Sequence, residues 1–507
     1  MSVRDFYSKK NVFITGGTGF LGICLIEKLL RTIPDIGDIY LLLRPKKGKE
    51  ISERLEEISK NKIFEKLLES QDATIFSKLK AISGDVGQID LGISESDREI
   101  LTEKVNVIFH SAATLDFAET LKATIDINLL GTRRVLELAK KCRNLSVYIH
   151  VSSAYVNSWK LSADEVLYPL EQSAEKFIEL AETVSAEKLE EMTPELLGNH
   201  PNTYTITKHM AEFEVKKMEE VFPCTIVRPS MIVGAWKEPI PGWTISKNGP
   251  QGFIMGASKG VVRRLPVGKD LIYDYIPVDV VVNELIVAGY FAGENKSKSV
   301  EIYHCTSSTR QPFRWATVED RVNGLLHKYP LKSAVWYPHL KFLPNLTWFK
   351  ISAIFVHFLP AIILDTVTKI FGGRPILMRL HRNVNASLNR LEKFIFTEWA
   401  FKADRTSTLH QWLNPADQRD FGLDLKELYW PDYFNDLTKG ARIYLSKEPM
   451  RNLAAAKGKD TLLMVLHLTL QAGILSIIWY IFACLVGTTM TKSAFIVPIF
   501  YILSNFL

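Results

Sequence analysis

An α/β architecture, a doubly wound parallel sheet followed by a membrane-spanning tail, is predicted by three features of the chain. Residues from about 10 to 270 alternate strand-like and helix-like segments. Glycines stand at positions 16, 19 and 22, directly after the apolar run 11–14 and before the apolar-periodic segment 23–30. Residues 461–491 contain no Asp, Glu, Lys or Arg.

The first strand, turn and helix come from residues 11–30. Glycine lets the backbone turn sharply at Gly16, admits a pyrophosphate at Gly19 and allows close helix-to-strand packing at Gly22. The helix N-terminus adds free N–H groups and a positive dipole end. Residues Gly16, Thr18, Gly19, Phe20, Leu21 and Gly22 are therefore expected to cradle a dinucleotide in an NAD(P)-binding Rossmann fold. A second strand at 38–43 favours this over a plain glycine turn. The residue ending that strand meets the adenosine ribose, where a carboxylate would select NAD. Here it is Arg44, with Lys46 and Lys47 behind it. A guanidinium at this point favours the 2′-phosphate of NADPH, the alternative being a solvated basic loop.

Further along, Ser83-Gly-Asp85-Val86 follows a strand-like run and places Asp85 and Val86 at the adenine, unless it is only a surface turn. Residues 105–110 read as a fourth strand ending in Ser111-Ala112-Ala113, small residues that let a cofactor lie close. His110 is read as packed or hydrogen-bonded, because no second ligand stands at a usable spacing; no metal site is expected.

A hydroxyl and a proton donor are expected at the carboxyl end of the same sheet. Residues 147–151 have a buried-strand pattern ending in Ser152-Ser153, where ligands of open α/β folds bind. Tyr204 and Lys208 stand four apart in a helical segment, 203–215, and so project from one face. An ammonium beside a phenol favours the phenolate and would lower the tyrosine pKa from its usual value of about 10. Tyr204, Lys208 and a strand-end serine make a set suited to polarising a carbonyl and donating a proton. A Tyr and a Lys at this spacing are common on helix surfaces; the glycine loop upstream gives this pair its weight.

Thr15-Gly-Gly-Thr-Gly-Phe-Leu-Gly22, His110-Ser-Ala-Ala-Thr114, Val151-Ser-Ser-Ala-Tyr-Val-Asn157, Pro201-Asn-Thr-Tyr-Thr-Ile-Thr-Lys208 with Ala211-Glu212, Val227-Arg-Pro-Ser230 and Asn248-Gly-Pro250 together resemble the extended short-chain dehydrogenase/reductases. Within them the chain is most similar to the alcohol-forming fatty acyl-CoA reductases. The long spacer between Ser153 and Tyr204 sets it apart from sugar-nucleotide epimerases, which place these motifs closer together. The resemblance implies Tyr204 as proton donor, Lys208 as its partner and holder of the nicotinamide ribose, and Ser153 as the hydroxyl on the substrate carbonyl, with Ser152 the alternative. It implies NADPH as hydride source, long-chain acyl-CoA as substrate, and a primary fatty alcohol formed through a bound aldehyde with release of CoA. It extends to a helical C-terminal domain, whose chemistry is not legible from spacing. Two other readings stay open at this point. One is a membrane-bound hydroxysteroid or sugar-nucleotide oxidoreductase on the same scaffold; the other is a non-catalytic NADP-binding membrane scaffold.

The 507 residues, 47% apolar, can bury a large core and exceed one domain. The expected organisation is a reductase domain over 1–345, a C-terminal domain over 346–445, a transmembrane helix over 461–487 and a short apolar segment over 493–507. Net charge is +6, and aromatics are not interleaved with clustered Lys and Arg, which argues against a nucleic-acid partner. Five dispersed cysteines, at 24, 142, 224, 305 and 484, form no C-x-x-C pair, so reduced thiols in a cytosol-facing protein are expected. A homo-oligomer is left undecided.

Residues 462–486 are long enough to cross a bilayer, which needs about 20 apolar residues. Arg442, Lys447, Arg451, Lys457 and Lys459 precede them and only Lys492 follows, which places the catalytic body in the cytosol. Endoplasmic reticulum and peroxisome are the candidate membranes. The chain ends Asn505-Phe-Leu507, so import into the peroxisomal matrix is not indicated, and a first strand near residue 11 leaves no room for a signal peptide. Residues 493–507 are half a hairpin or a lumenal stub. A third apolar stretch, 351–364, falls short of spanning length; it dips into the interface, lines an acyl channel or forms a buried amphipathic helix. Two charged inserts interrupt the alternation. Residues 46–80 are expected to pack on the sheet edge, and residues 160–199, acidic and amphipathic, to form a lid over the substrate cleft or a solvated structural insert.

Overall fold

In the computed structural model, residues 1–44, 48–296 and 298–506 are described, with side-chain surroundings as far as residue 502. Lys46 and Lys47 lie outside the described residues. Seven strands, β1 (Asn11–Thr15), β2 (Ile39–Leu43), β3 (Leu79–Ser83), β4 (Val105–His110), β5 (Val147–Val151), β6 (Cys224–Pro229) and β7 (Glu301–Cys305), form one sheet in the order β7-β6-β5-β4-β1-β2-β3. Every pairing in it is parallel. Strands such as β2 and β5 are buried at every residue, because crossover helices cover both faces and no position alternates out to water. The order reverses between β1 and β4, which opens a crevice at the carboxyl ends of those two strands. Register there sets Thr15 beside His110 and His110 beside His150, so polar side chains meet across three adjacent strands.

By internal packing the chain forms two compact units assembled from interleaved segments. The first comprises Met1–Thr244, Ile272–Phe313 and Glu398–Tyr429; the second comprises Ile245–Leu271, Arg314–Thr397 and Trp430–Leu507. This division cuts across the linear order in which the sequence was read.

The first unit holds the sheet and helices α1 (Phe20–Thr32), α2 (Leu130–Lys141), α3 (Thr203–Lys216) and α4 (Val278–Asn295). The insert at 160–199 contains two helices, Ala174–Thr183 and Ala186–Leu197, each capped by a serine hydroxyl at Ser173 and Ser185. Phe177, Ile178, Leu189 and Leu196 pack with Leu121, Ile125, Ile206 and Met210 in one apolar cluster. At about 1.5–3 kcal/mol per buried large side chain, this fixes the insert against α3. It is a structural buttress of the helix that carries Tyr204. The helix Ile51–Ser59 of the other insert lies beside β3 at the sheet edge, as expected.

In the second unit, the strand Arg264–Pro266 pairs with Lys341–Leu343. The apolar stretch that follows is longer than the sequence reading allowed: one continuous helical run, Leu346–Ile370, of 25 residues. Pro360 does not end it, because it stands within the first turn after a π-helical stretch, Ile354–Phe358, where the missing N–H costs little. A helix over Leu377–Ile395 returns from it. The last long helix, α5 (Leu453–Val486), has 34 residues and is buried only at Ala456, Leu463 and Ala483. At 1.5 Å per residue it is ~50 Å long, ample for a hydrocarbon core of about 30 Å. It stops at Gly487, whose φ of 66° gives the left-handed cap. Helix Val497–Phe506 then folds back, with the Phe500 ring 6.0 Å from that of Phe482 and the Trp479 indole N–H donating to Ser493 Oγ at 3.0 Å. Its ten residues, ~15 Å, complete half a hairpin. Two exposed apolar helices thus associate the chain with a membrane.

Candidate active site

The glycine loop leaves β1 with Gly16 at φ 77°, a conformation that disfavours other residues. The Gly19 N–H donates to the Gly16 carbonyl at 2.9 Å, closing the turn, and Gly19 is the N-cap of α1 with no side chain over the helix end. The first-turn N–H groups of Phe20, Leu21 and Gly22 have no acceptor within the helix. No acidic residue stands in that first turn to compete for them. A Cβ at Gly22 would lie 2.3 Å from the Gly16 carbonyl oxygen, and one at Gly16 would lie 2.9 Å from Ala112 N. The loop therefore packs backbone on backbone, with Thr18 and Gly19 exposed on its open side. This is a cradle that fits a pyrophosphate.

At the end of β2, the Arg44 side chain is largely exposed and its Nε stands 3.9 Å from Asp85 Oδ2. Asp85 also accepts the Gly87 N–H through Oδ1 at 3.0 Å. The two residues read separately from sequence as ribose and adenine contacts are thus brought side by side. Val86 is buried behind them. At the end of β4, the Ala112 N–H donates to Thr15 Oγ1 at 3.2 Å and the Ser111 hydroxyl to the Thr15 carbonyl at 2.8 Å, which ties the two lips of the crevice together.

His110 is a neutral link in a hydrogen-bond chain. Its Nε2 stands 3.0 Å from Thr132 Oγ1, whose own proton goes to the Asn128 carbonyl, so Nε2–H is the donor. Nδ1 then accepts from Thr15 Oγ1 at 2.8 Å. Burial, reinforced by the charge of Lys208, brings its pKa down to about 3. Asn128, within a π-helical turn ahead of α2, accepts the Thr114 N–H and donates to Thr207 Oγ1 on α3.

Tyr204 and Lys208 lie on α3, whose N-cap Asn202 accepts the Thr205 N–H. Both are buried, at 8% and 2% exposure. Ser153 lies close enough to the Tyr204 hydroxyl to act on its pKa, and the tyrosine ring stands 5.7 Å from that of Phe117. The two serines divide the work: Ser152 Oγ donates to Glu212 Oε1 at 2.5 Å, which leaves Ser153 as the hydroxyl beside the tyrosine. One sequence expectation is corrected. Tyr204 is not shifted toward the phenolate; burial pushes its pKa up to about 12, against the opposing effect of the nearby Ser153 hydroxyl. The Lys208 ammonium turns instead to the Val151 carbonyl and to His150 Nε2, the latter at 3.4 Å. Burial lowers the Lys208 pKa to about 8, opposed by the charge of Glu212 one turn along the helix.

Behind these groups lies a network that the sequence did not reveal. Glu212 and Arg228 form a fully buried ion pair, with Nε and Nη2 donating at 2.8 and 2.7 Å. Arg228 Nη1 also stands 3.2 Å from His304 Nε2 on β7. Arg228 therefore braces α3, β6 and β7 from within the core. The signal available was weak: a helix with Lys208, Glu212 and Glu214 buried among apolar neighbours, and a histidine, His150, inside a strand buried on both faces.

Comparison with known proteins agrees with this geometry. Two family models, both described as Male sterility protein, match residues 14–285 and 356–448, the first an NAD-binding model. Over 511 residues, covering 100% of this chain and 99% of its own length, the chain is 53% identical to CG8306 of Drosophila melanogaster, provisionally named a fatty acyl-CoA reductase. It is 35% identical to fatty acyl-CoA reductase 1 of Rattus norvegicus, over 95% of this chain and 93% of that protein. With fatty acyl-CoA reductase 2 of Mus musculus it shares 36%, over 94% and 92%. Among solved structures, the reductase domain of a nonribosomal peptide synthetase from Mycobacterium tuberculosis superposes with a TM-score of 0.59 at 17% identity, covering 87% of this chain and 92% of that one. The terminal R domain of the myxalamid PKS-NRPS pathway gives 0.56 at 20%, over 87% and 90%; these two share the fold. A glycine cradle at a sheet switch point, a buried Tyr, Lys and Ser at the carboxyl end of the same sheet, and full-length likeness to named reductases converge: the chain belongs to the fatty acyl-CoA reductase family and is an oxidoreductase that binds a nicotinamide cofactor.

Proposed function

We propose that the chain reduces long-chain fatty acyl-CoA to primary fatty alcohol through a bound aldehyde, consuming two NADPH and releasing CoA. The observation that carries this reading is the burial of Tyr204 and Lys208 on one helix, with Ser153 close enough to the tyrosine hydroxyl to act on its pKa, at the carboxyl end of a sheet whose first turn is the glycine loop. When bound, the nicotinamide supplies hydride. Tyr204, with a pKa of about 12, is a protonated donor at neutral pH. With Ser153 it holds the carbonyl oxygen and neutralises the charge that develops there. Lys208, one helical turn away and held by the Val151 carbonyl and His150, would have to swing from them to steady the tyrosinate left behind. The resulting hemithioacetal expels the thiolate as its hydroxyl proton returns to the tyrosinate, giving the aldehyde, and the reprotonated tyrosine then protonates the alkoxide of the second reduction. The exposed Arg44 guanidinium supports NADPH over NADH, since a 2′-phosphate there gains charge-assisted hydrogen bonds. The cations at 442–459 support a cytosolic body on the endoplasmic reticulum or peroxisomal membrane. Residues 346–445 are taken as the C-terminal domain and 461–487 as the span.

The test is turnover by full-length protein in lipid nanodiscs with acyl-CoA of C12 to C24, following NADPH oxidation, thiol release and lipid product. Fatty alcohol with two NADPH per thiol supports the reading. NADPH binding without turnover, or ketone–alcohol interconversion on a sterol, overturns it. Tyr204→Phe should lower turnover by roughly 10²–10⁴-fold while NADPH still binds; retained activity removes Tyr204 from the mechanism.

A further inference from the structure

We propose that the helical hairpin of residues 346–395 is a second, monotopic membrane contact that docks on an anionic phospholipid surface. This does not depend on the acyl-CoA reading. Helix Leu346–Ile370 is long and apolar enough to cross a bilayer, yet the chain's path forbids it. Upstream, Lys341–Leu343 pairs with Arg264–Pro266; downstream, Ala400–Phe401 pairs with Ser162–Ala163. The segment 245–271, which holds Arg264–Pro266, leaves and re-enters the first unit with only a nine-residue helix, Pro250–Ser258, too short to span, so by chain path both ends of the hairpin are on one side of any membrane. A crossing by Leu346–Ile370 would need a second crossing before Ala400, and the only helix available, Leu377–Ile395, carries Arg379, Arg382, Arg390, Glu392 and Lys393. Burying so many charges in hydrocarbon is too costly for a span. The apolar helix must lie in the interface.

Its outer surface fits that place. Ile363, Val367, Ile370, Phe371 and Ile376 are exposed, Ile370 at 75% and Phe371 at 84%, around the tip of the hairpin. Large contiguous apolar surface of this kind marks a contact with lipid or protein. The ring of cations decides for lipid: Lys369, Arg374, Arg379 and Arg382 are all exposed within a dozen residues of Phe371. Over residues 346–397 seven Lys and Arg stand against two acidic residues. One of those two, Asp365, is used internally, accepting the N–H groups of Ile376, Leu377 and Met378 at 2.9–3.1 Å and so locking the tip. The hairpin is fixed at its base, where His357 Nε2 accepts the N–H groups of Arg263 and Arg264. The same unit holds the root of α5 through His327 to Asp460 at 2.9 Å and the stacked rings of Tyr337 and His467. A rigid apolar tip ringed by basic side chains, on a body already tethered by a span, is the arrangement that seats on anionic headgroups.

Full-length protein carrying an environment-sensitive thiol dye at Phe371→Cys is placed in nanodiscs containing brominated lipid, with or without phosphatidylserine. Ile477→Cys on the span is the lipid reference, Glu187→Cys the solvent reference, and the parent chain the blank. The dye at 371 should be quenched by brominated lipid well beyond the dye at 187, and about twofold or more further with phosphatidylserine. Combined Arg374→Glu, Arg379→Glu and Arg382→Glu should erase that increment, with NADPH binding intact as the check on folding. Quenching at 477 without quenching at 371 overturns the proposal. So does a blue-shifted, unquenched dye at 371, which would mean that protein, such as a second copy, covers the tip. Equal quenching in neutral and anionic discs overturns the assignment to anionic headgroups.

Discussion

Lys208→Met should abolish turnover and change the pH dependence of stability in a way that only a buried, titrating lysine explains. The side chain is 2% exposed, and burial brings its pKa from 10.5 down to about 8. Between those two values the unfolded chain holds a proton that the folded chain has lost, so stability rises with pH across that window. Below about pH 8 both states are protonated and the full cost of the buried charge is present. The gap corresponds to roughly 3 kcal/mol at 1.36 kcal/mol per pH unit. Methionine removes that cost but also removes the donor to the Val151 carbonyl and to His150 Nε2, a loss of about 1–3 kcal/mol. At pH 7 the two effects nearly offset. Near pH 10.5 the parent has shed its cost and only the lost hydrogen bonding remains, so the variant falls behind by up to ~3 kcal/mol, a few degrees in Tm. The assay is thermal unfolding of parent and variant in the same detergent from pH 6.5 to 10, plotted as a difference. A difference that stays flat with pH refutes the argument, because Lys208 then does not titrate in that window.

Three further outcomes follow from the same geometry. Gly22→Ala puts a Cβ 2.3 Å from the Gly16 oxygen and 2.7 Å from Gly17 Cα, so the loop must move at a cost of about 1–3 kcal/mol. NADPH affinity, measured by fluorescence titration, should fall roughly 5- to 150-fold, and an unchanged Kd removes the loop from the binding site. Arg44→Glu should cut the NADPH-over-NADH ratio of kcat/KM by roughly 10- to 100-fold; a ratio that holds shows that the exposed guanidinium does not read the 2′-phosphate. Glu212→Gln strands the buried Arg228 charge, at about 3–5 kcal/mol, and removes the charge that holds the Lys208 pKa up. A large loss of Tm together with a limb of the pH–rate profile moved to lower pH is expected, and a profile that stays in place severs Glu212 from Lys208.

What was legible in the sequence was what local patterning controls. Glycine spacing fixed the turn after β1, apolar runs bounded β4 and β5 to the residue, and the four-residue interval placed Tyr204 and Lys208 on one helix face. Each depends on neighbours within a few residues. The Glu212–Arg228 pair does not: its members meet only because α3 crosses beside β6, and charged residues read alone default to solvent. The direction of the Tyr204 shift failed for the same reason. Sequence spacing brings an ammonium near, but burial from every side and the turn of Lys208 toward β5 are tertiary facts. The length of Leu346–Ile370 was underestimated because only the apolar run 351–364 was counted, whereas a π-helical stretch carries the helix through Pro360 and polar residues extend it at both ends.

The interleaving of segments is the least legible feature and explains why the region after residue 345 is not an appendage. Residues Glu398–Tyr429 return to the first unit and complete it. The Arg405 N–H and the His304 N–H both donate to Glu165, at 2.7 and 2.8 Å, and Thr406 Oγ1 donates to the buried Glu284 at 2.7 Å. The Phe401 carbonyl takes the Thr306 hydroxyl, and Lys402 pairs with Asp164. Without this segment Glu165 would keep the His304 N–H but lose that of Arg405, and Glu284 would lose the Thr406 hydroxyl; each buried acceptor left short of a partner costs about 1–3 kcal/mol, a sizeable share of the 5–15 kcal/mol that holds a typical domain folded. The excursion to residues 346–397 is thus followed by residues that belong to the unit holding the sheet. The helix that carries Tyr204 is in this way braced through Arg228 by His304 on the last strand of the sheet, and that strand by residues 398–429, which follow the hairpin in the chain.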